Sequence, residues 1–330
     1  MSKKTTYADG ILEGFEYLLK NHKEFFVIGQ GLWSPWYVGS TMKDLDKKYG
    51  KERVIDCPVS ELATTGATIG AAICGYRPLI VHPRVDFMLL AVDQIVTQAA
   101  KWRHMFGGNS SCPATFRAII NRAGEQGAQH SQSLHSWFAH IPGLKVVMPY
   151  SAKDARNLLI SSVLSDDPVM FIEDRWLYEK EEEYTEIEII DLNDVTPQRL
   201  QNGSDATVVG ISYTSMLCEK VVQKFQNENV FCDMFDIRVL NPLNVDEIVK
   251  SVEKTGKLLV VDGDWASCGM AAEIITRVIE KIDLTKLKAS PIRITLPDAP
   301  APTSKILEEY YYITEFDIHT NIQKLVNSNL

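Results

Sequence analysis

The chain has 330 residues, of which 45% are hydrophobic and 23% are charged, and its formal net charge is −9. This composition is typical of a globular protein that is long enough for two domains. The negative charge argues against nucleic acid as a main partner, because phosphate binding requires clustered lysines and arginines. No apolar run approaches the ~18 residues of a membrane span, so no membrane association is expected.

The N-terminal segment and the cysteines both favour a cytoplasmic protein. The segment MSKKTTYADGILEGF lacks the apolar core of a signal peptide and becomes amphipathic at once. The six cysteines are scattered, without a CxxC pair or a compact framework, as expected in a reducing compartment.

The first half of the chain alternates helices and strands. Ser60 can cap a helix of small residues that Gly75 can end, and Ser151 with Asp154 resembles a capping box. In chain order the predicted elements are a helix over 7–21, strands over 24–31 and 53–58, a helix over 60–75, a strand over 77–83, a long helix over 87–106, strands over 115–121 and 144–150, a helix over 152–165 and a strand over 168–174.

Residues 176–204 interrupt this alternation with a charge run, a proline and an Asn-Gly pair, which indicate a connection between domains. The alternation then restarts, with strands over 205–212, 230–240 and 257–264 and helices over 216–227, 244–256 and 269–282. Such βαβ units predict an α/β fold of two doubly wound domains with parallel sheets covered on both faces. The predicted division is 1–185, a linker over 186–204, and 205–330.

Three histidines stand five positions apart in GAQHSQSLHSWFAH, at 130, 135 and 140. Positions five apart differ by about 140° on a helix, so these side chains do not share one face. The stretch itself contains no cysteine or carboxylate, and no metal site is predicted on this chain. A core or surface histidine is the default for each, although one of them can serve as a donor in a cleft.

Glu61 opens the helix of small residues. An acid in the first turn complements the helix dipole, an effect of about 0.5 kcal/mol. The alternative is functional, because the small neighbours let a ligand approach and place the carboxylate in a dry site. The sequence lacks GxxxxGK[ST], GxGxxG after the first strand and GxSxG, so neither a phosphate site of its own nor a serine hydrolase is predicted.

Several long segments together resemble the beta subunits of thiamine-diphosphate-dependent 2-oxo acid dehydrogenases, whose type members act on pyruvate and branched-chain 2-oxo acids. The likeness runs nearly end to end in the same order and spacing, and it includes a closing LPDAPAPTSKILEEYY. The segments are VIDCPVSELATTGATIGAAICGYRPLI, DQIVTQAAKWRHMFGG, GAQHSQSLHSWFAHIPGLKVVMPYSAKDARNLLISS and NPLNVDEIVKSVEKTGKLLVVDGD.

The resemblance implies a transketolase-like pyrimidine-binding domain followed by a transketolase C-terminal domain. It implies oxidative decarboxylation of a 2-oxo acid in an α2β2 heterotetramer, with a lipoyl-bearing acyltransferase as a further expected partner. Thiamine diphosphate is then shared between chains, with the diphosphate and magnesium held by the alpha subunit. That subunit's Gly-Asp-Gly…Asn motif is absent from this sequence.

The resemblance also assigns residues. Glu61 falls on the glutamate that hydrogen-bonds a pyrimidine ring nitrogen and favours the imino tautomer. Phe87 falls on the aromatic ring that packs on the pyrimidine, and the carbonyl of Val59 is expected to face the cofactor. His130 falls on the histidine that stabilises developing charge in decarboxylation and acyl transfer, with Gln129 beside it in the wall of a substrate cleft.

The sequence departs from the family pattern at several places, including the segment RAIINRAGEQG before His130, where members often contain Arg-Gly-Pro-Asn-Gly. Gln30 stands where many members carry an acidic residue, and Ser165-Asp166-Asp167-Pro168 replaces the Asp-x-Asn-Pro of the family's potassium site, which puts that ion in doubt. A further departure places His82, Arg84 and Asp86 in a segment that is less charged in common members. We interpret this last group as candidates for a pocket suited to a more polar acyl substrate.

Two other functions remain open from the sequence. One is half of a split transketolase, or a carboligase in sugar or polysaccharide biosynthesis, which would use the same scaffold without lipoate. The other is a non-catalytic paralogue that keeps only the subunit interface. Retention of both Glu61 and His130 argues against the second, since a decayed site has little reason to keep either.

Overall fold

A computed structural model describes residues 4–328. Contacts divide the chain into two compact units, and each contains a mainly parallel sheet with helices packed against it. The first unit comprises residues up to 121 together with 137–194, and the second comprises 122–136 together with residues from 195 onward. The predicted α/β fold of two doubly wound domains is confirmed. The assignment of 122–136 to the second unit is a feature that sequence patterns did not indicate.

Six parallel strands form the sheet of the first unit, in the order β3-β2-β4-β5-β7-β6. A separate antiparallel pair joins β1 to β8. The strands are β1 (Lys4–Thr6), β2 (Phe25–Gly29), β3 (Val54–Asp56), β4 (Arg77–His82), β5 (Thr115–Ile120), β6 (Lys145–Val147), β7 (Val169–Asp174) and β8 (Glu181–Glu183). The central strands β5 and β7 are buried along their whole length, as the predicted two-sided cover requires.

Helices follow most of these strands. They are α1 (Tyr7–Asn21), α2 (Leu45–Tyr49), α3 (Glu61–Ile73), α4 (Val85–Met88), α5 (Ala100–Met105), α6 (His135–Ala139), whose first two residues belong to the second unit, and α7 (Ala152–Leu164). Helices α1 and α7 pack closely because α1 carries Gly10 and Gly14 one turn apart. A Cβ on Gly10 would lie 2.4 Å from the carbonyl oxygen of Ala152, so only glycine permits this approach.

Most local predictions for this unit are confirmed, and two differ in detail. The predicted helix over 87–106 is helical from Val85 to Met105 but not uniform, with a 3-10 turn at Leu89–Ala91 and a π-helical stretch at Asp93–Ala99. Ser60 occupies the N-cap of α3 without a side-chain capping bond. Apolar spacing indicates which face of a helix is buried but not its hydrogen-bond register. The 3-10 turn and the π-helical stretch therefore could not be predicted.

The sheet of the second unit has the order β14-β13-β10-β11-β9, in which β9 alone is antiparallel to its neighbour. The region predicted as one strand over 230–240 forms two strands, β11 and β12. The strands are β9 (Gln198–Gln201), β10 (Ala206–Gly210), β11 (Cys232–Asp236), β12 (Val239–Asn241), β13 (Leu258–Trp265) and β14 (Ile292–Leu296).

Five helices belong to the second unit, namely α8 (Tyr213–Gln226), α9 (Asp246–Thr255), α10 (Met270–Ile279), α11 (Lys305–Tyr311) and α12 (Glu315–Asn327). Short 3-10 segments occur at Tyr37–Ser40, Arg175–Leu177 and Leu284–Lys286 along the chain. An apolar core lies where α8 and α12 pack on the sheet, with Phe225, Met234 and Ile318 fully buried. Across residues 4–328, no helix is both long enough and apolar enough to cross a bilayer.

Candidate functional site

Glu61 and Gln30 meet at the carboxyl edge of the first sheet. Strands β2 and β3 are parallel neighbours, with Gly29 opposite Asp56 at their ends. The loop after β2 is fixed by the Gly31 N–H, which donates to Asp56 Oδ1 at 2.7 Å. Gln30 Nε2 in turn donates to Glu61 Oε1 at 3.2 Å. The Glu61 side chain is therefore held by a neutral amide at the start of α3, and the residue is only 7% exposed.

Helix α3 presents an accessible face beside Glu61. Leu62, Ala63 and Ala67 are exposed, and a Cβ on Gly70 would meet no atom within 4 Å. Contacts within the described chain therefore do not require the small residues of this helix. The face has room for a ligand or a second chain to approach closely, as the composition of the segment predicts.

The four predicted residues around α4 differ in exposure. His82 ends β4 and is 2% exposed, and burial lowers its pKa to about 4, so the imidazole is neutral at pH 7. Its Nε2 lies 3.3 Å from Thr65 Oγ1, one turn beyond Glu61 on α3. Asp86 is buried, Arg84 is half-buried and Phe87 is 39% exposed. His82 thus packs against α3, the helix that begins with Glu61.

Val59 is exposed, and no side-chain role for it follows from the structure. It lies in the connection between β3 and α3, two residues before Glu61, and is 77% exposed. The predicted role concerns its carbonyl, which needs no particular side chain. The assignment of Val59 to a cofactor contact stays a prediction.

His130 and Gln129 belong to the second unit, so Glu61 and His130 lie in different units. His130 closes a turn in which its N–H donates to the Gly127 carbonyl at 3.3 Å, and its side chain is half-exposed, whereas Gln129 is exposed. Gly127 has φ +73°, a conformation that favours glycine. The three histidines do not share one helix, because α6 begins only at His135.

Ser133 and His135, a few residues beyond His130, form a chain of close contacts with the distant Asp262. Ser133 Oγ lies 3.0 Å from His135 Nδ1, and His135 Nε2 lies 2.8 Å from Asp262 Oδ1. The spacing is that of a hydrolase triad, but Ser133 is 2% exposed and also accepts from Arg122 Nη2 at 3.3 Å. A nucleophile must reach its substrate, and Ser133 is too buried to do so. The three residues therefore have a structural role and do not indicate a hydrolase.

The carboxylates decide the charge of this buried cluster. Burial lowers the pKa of His135, but the neighbouring Asp262 and Asp264 outweigh burial and leave that pKa above its ordinary value. Burial raises the pKa of Asp262, but His135 together with the N–H groups of Ala271 and Asp264 outweighs burial, so the pKa of Asp262 ends below its ordinary value. The opposed shifts describe a buried imidazolium–carboxylate pair. The sequence predicts only a core or surface histidine at position 135 and carries no signal for its partner, which is 127 positions away.

Ion pairs occupy the segment 165–168, where the sequence departs from the family's potassium site. Asp167 is paired with Arg103 and, at 3.6 Å, with Lys145 Nζ, while Arg77 Nη2 lies 2.6 Å from Asp166 Oδ1. A cavity of about 490 Å³ adjoins these residues within the first unit. Among residues 4–328, no cluster of three or more histidines, cysteines or carboxylates is arranged to hold a metal ion.

Two family models match the chain. The transketolase pyrimidine-binding domain matches residues 3–180, and the transketolase C-terminal domain matches residues 195–318. The beta subunit of the bovine mitochondrial pyruvate dehydrogenase E1 component is 32% identical over 98% of this chain and 91% of that protein. The corresponding subunit of Rickettsia felis is 33% identical over 97% of this chain and 98% of its own length.

Solved structures show the same fold at lower sequence identity. A split-gene transketolase, described as an inactive beta4 tetramer, matches with a TM-score of 0.78 and 16% identity over 98% of this chain and 97% of that one. Transketolase from Campylobacter jejuni matches with a TM-score of 0.69 and 12% identity over 98% of this chain and 47% of its own.

Proposed function

The chain belongs to the transketolase-like family of pyruvate dehydrogenase E1 beta subunits, and we propose that it works with an alpha-type subunit to decarboxylate a 2-oxo acid and pass the acyl group to lipoyl-lysine. The observation that carries this proposal is Glu61, nearly buried at the start of α3 and held at one oxygen by Gln30. Relatives at 32–33% identity over nearly the whole chain support the reaction class.

The residues around Glu61 suit the pyrimidine end of thiamine diphosphate. When bound, that cofactor would supply an acidic carbon that, once deprotonated, can attack a 2-oxo carbonyl. One oxygen of Glu61 accepts from Gln30, which leaves the second to hydrogen-bond a ring nitrogen of the cofactor. The face of α3 is accessible and the ring of Phe87 is 39% exposed, so both are proposed to contact the pyrimidine. Glu61 then holds and moves a proton on that ring.

His130 is proposed to act on the acyl group. It lies on a turn outside regular secondary structure, with a half-exposed side chain and the exposed Gln129 beside it. An imidazole in that position can donate to developing negative charge during decarboxylation and acyl transfer. Residues on loops at a sheet edge commonly carry such roles, because a rigid scaffold positions them.

The polar residues around α4 are proposed to tune the acyl pocket. His82 is neutral and contacts α3, and Arg84 and Asp86 follow it at the start of α4. Together they favour a 2-oxo acid with a more polar side chain than pyruvate.

Magnesium and the diphosphate are assigned to the partner subunit, because this chain offers no Gly-Asp-Gly…Asn segment. The α2β2 assembly and the lipoyl acyltransferase belong to the same proposal. A potassium ion near Ser165–Pro168 is not part of it, because the Asp167 carboxylate already pairs with Arg103 and Lys145.

The alternatives receive less support. The curated relatives at 32–33% identity are pyruvate dehydrogenase subunits, whereas the transketolase structures share only 12–16% identity and speak for the fold alone. The bond between Gln30 and Glu61 argues against a non-catalytic paralogue. A site that had lost its function would have little reason to keep both the carboxylate and the amide that binds it.

Purification from native cells with any stoichiometric partner tests the proposal first. The expected result is an alpha-type subunit and bound thiamine diphosphate. The complex is then offered a panel of 2-oxo acids with an artificial electron acceptor, followed by a lipoyl domain. Turnover of a 2-oxo acid with acylation of the lipoyl domain is expected. A ketose–aldose exchange without 2-oxo acid turnover would support the split transketolase, and a chain that copurifies with no partner or cofactor would contradict the proposal.

A further inference from the structure

The segment 122–136, which carries His130, is anchored within the second unit near both of its ends. At its start, Arg122 is 6% exposed and its Nη1 donates to the Gly263 carbonyl at 2.8 Å. Close to that point, the Glu125 N–H donates to Glu308 Oε1 at 2.9 Å. At its end, the Ser136 hydroxyl donates to Asp264. No helix or strand is assigned between Arg122 and Leu134, so these anchors position the turn that bears His130.

His135 is a further anchor near the end of the segment, and it is more deeply buried than Arg122. Its ring is fully buried between Asp262, at 2.8 Å from Nε2, and Ser133, at 3.0 Å from Nδ1. Asp262 is itself fixed, because its Oδ2 accepts from the Ala271 N–H at 3.1 Å and its Oδ1 from the Asp264 N–H at 3.2 Å. A fully satisfied polar network of this kind rigidifies the chain that it holds.

We propose that His135 is a positioning residue for His130: its bond to Asp262 clamps the end of the segment and thereby fixes the orientation of the His130 side chain. The inference rests on the proposed function, because it takes His130 as the residue that acts on the acyl group. His135 does not contact the substrate, and its effect is transmitted through the four residues that separate the two histidines. An error of about 1 Å in such a group can cost about a hundredfold in rate.

The charges around His135 make the clamp depend on pH. Three charged groups face the ring, namely the carboxylates of Asp262 and Asp264 on β13 and the guanidinium of Arg122 in the segment. Burial opposes the charged imidazole, but the two carboxylates prevail, so the folded protein holds the proton to a higher pH than an ordinary histidine. The ion pair is therefore kept to a higher pH than for an ordinary histidine and is lost as the pH rises through the raised pKa.

Substitution of Asp262 tests the clamp in the complex with the alpha-type subunit. Asp262→Asn keeps the shape of the side chain but removes the charge. We expect kcat for lipoyl acylation to fall about tenfold or more, with KM for the 2-oxo acid and the affinity for thiamine diphosphate within a factor of about two. The alkaline limb of the kcat profile should move to lower pH. His135→Gln keeps a neutral donor towards Asp262. Its kcat should fall less than that of Asp262→Asn, and its alkaline limb should not show the shift to lower pH.

Hydrogen exchange separates a failure of this inference from a failure of the proposed function, because it needs no activity. Peptides covering 126–134 should exchange faster in Asp262→Asn than in wild type at the same pH, while peptides of α12 should not change. His140→Ala is the matched control, as a half-exposed histidine five positions further on. Unchanged kcat and exchange in Asp262→Asn, or an equal loss in His140→Ala, would overturn the clamp. Faster exchange in a complex that turns over no 2-oxo acid would keep the clamp and refute the proposed function.

Discussion

Gln30 donates through its side-chain amide to Glu61 Oε1 at 3.2 Å, and this bond joins two residues that lie 31 positions apart. An acidic residue at position 30 would face the Glu61 carboxylate with a like charge, whereas the amide gives it a hydrogen bond. The bond also leaves the other carboxylate oxygen available for a ligand. The departure from the family pattern at Gln30 thus has a direct structural consequence at the residue proposed to hold the pyrimidine.

Gln30→Glu is expected to change the pH dependence of the enzyme without unfolding it. The new carboxylate lies about 3 Å from Glu61, and two like charges at that separation do not both ionise readily. The acid limb of the kcat profile should therefore move to higher pH. The profile is measured in the reconstituted complex, with Gln323→Glu on the exposed face of α12 as the control. An unshifted acid limb would show that the residue at position 30 does not influence the proton handling assigned to Glu61.

Glu61→Gln should abolish the proton handling assigned to this carboxylate. We expect turnover to fall about a hundredfold or more while the melting temperature stays within a few degrees, because the amide keeps the shape of the side chain. Steady-state rates and thermal melts of the complex measure the two effects. Glu280→Gln, at an exposed position after α10, is the matched control. Near-normal turnover would refute the assignment of Glu61.

His130→Ala should affect acyl transfer at least as strongly as cofactor binding. The side chain lies on an irregular turn, so its removal should cost little stability. We expect lipoyl acylation to fall about a hundredfold, and the dissociation constant of thiamine diphosphate to change only about twofold. Rapid-mixing acylation assays and calorimetric titration of the cofactor supply the two numbers. Loss of cofactor affinity alone would instead indicate a packing role.

The pKa of His82 predicts a contribution to acid sensitivity. Burial lowers this pKa from an ordinary value of about 6.5 to about 4, so the unfolded chain binds an extra proton between these limits. Stability from this group is complete above pH 6.5 and is lost as the pH falls towards 4. Between pH 7 and pH 5 the loss is about 2 kcal/mol. Urea unfolding of His82→Gln at both values should show a pH effect smaller by that amount, and an equal effect would contradict it.

The pair of Arg117 and Glu173 predicts a large loss of stability in the first unit. Both side chains are fully buried, and Arg117 Nη2 also donates to Thr41 Oγ1 at 2.9 Å. Arg117→Met would leave the Glu173 carboxylate buried and unpaired, at a cost of about 3–5 kcal/mol in the free energy of unfolding. Denaturant titration measures the loss. Lys47→Met, which breaks the exposed pair with Asp44, should change the midpoint little.

Local sequence patterns were sufficient for most of the secondary structure. The spacing of apolar residues gave α1 and α7, and the buried runs gave β2, β4, β5 and β7. Elements with few apolar residues escaped prediction, as did the helices after 300, where the fraction of exposed residues is high. Periodicity reports a buried face, and an element that buries little gives a weak signal.

The sequence by itself determined the fold class, the order of the main elements and, through its resemblance to a family, the candidates Glu61 and His130. Only the tertiary structure decided which distant groups meet these elements. It placed Gln30 against Glu61, His82 against Thr65, and segment 122–136 in the second unit with His135 bonded to Asp262. Local patterns record which face of a segment is apolar. The partner of a buried polar group is chosen when sheets bring distant strand ends together, and no local pattern carries that information.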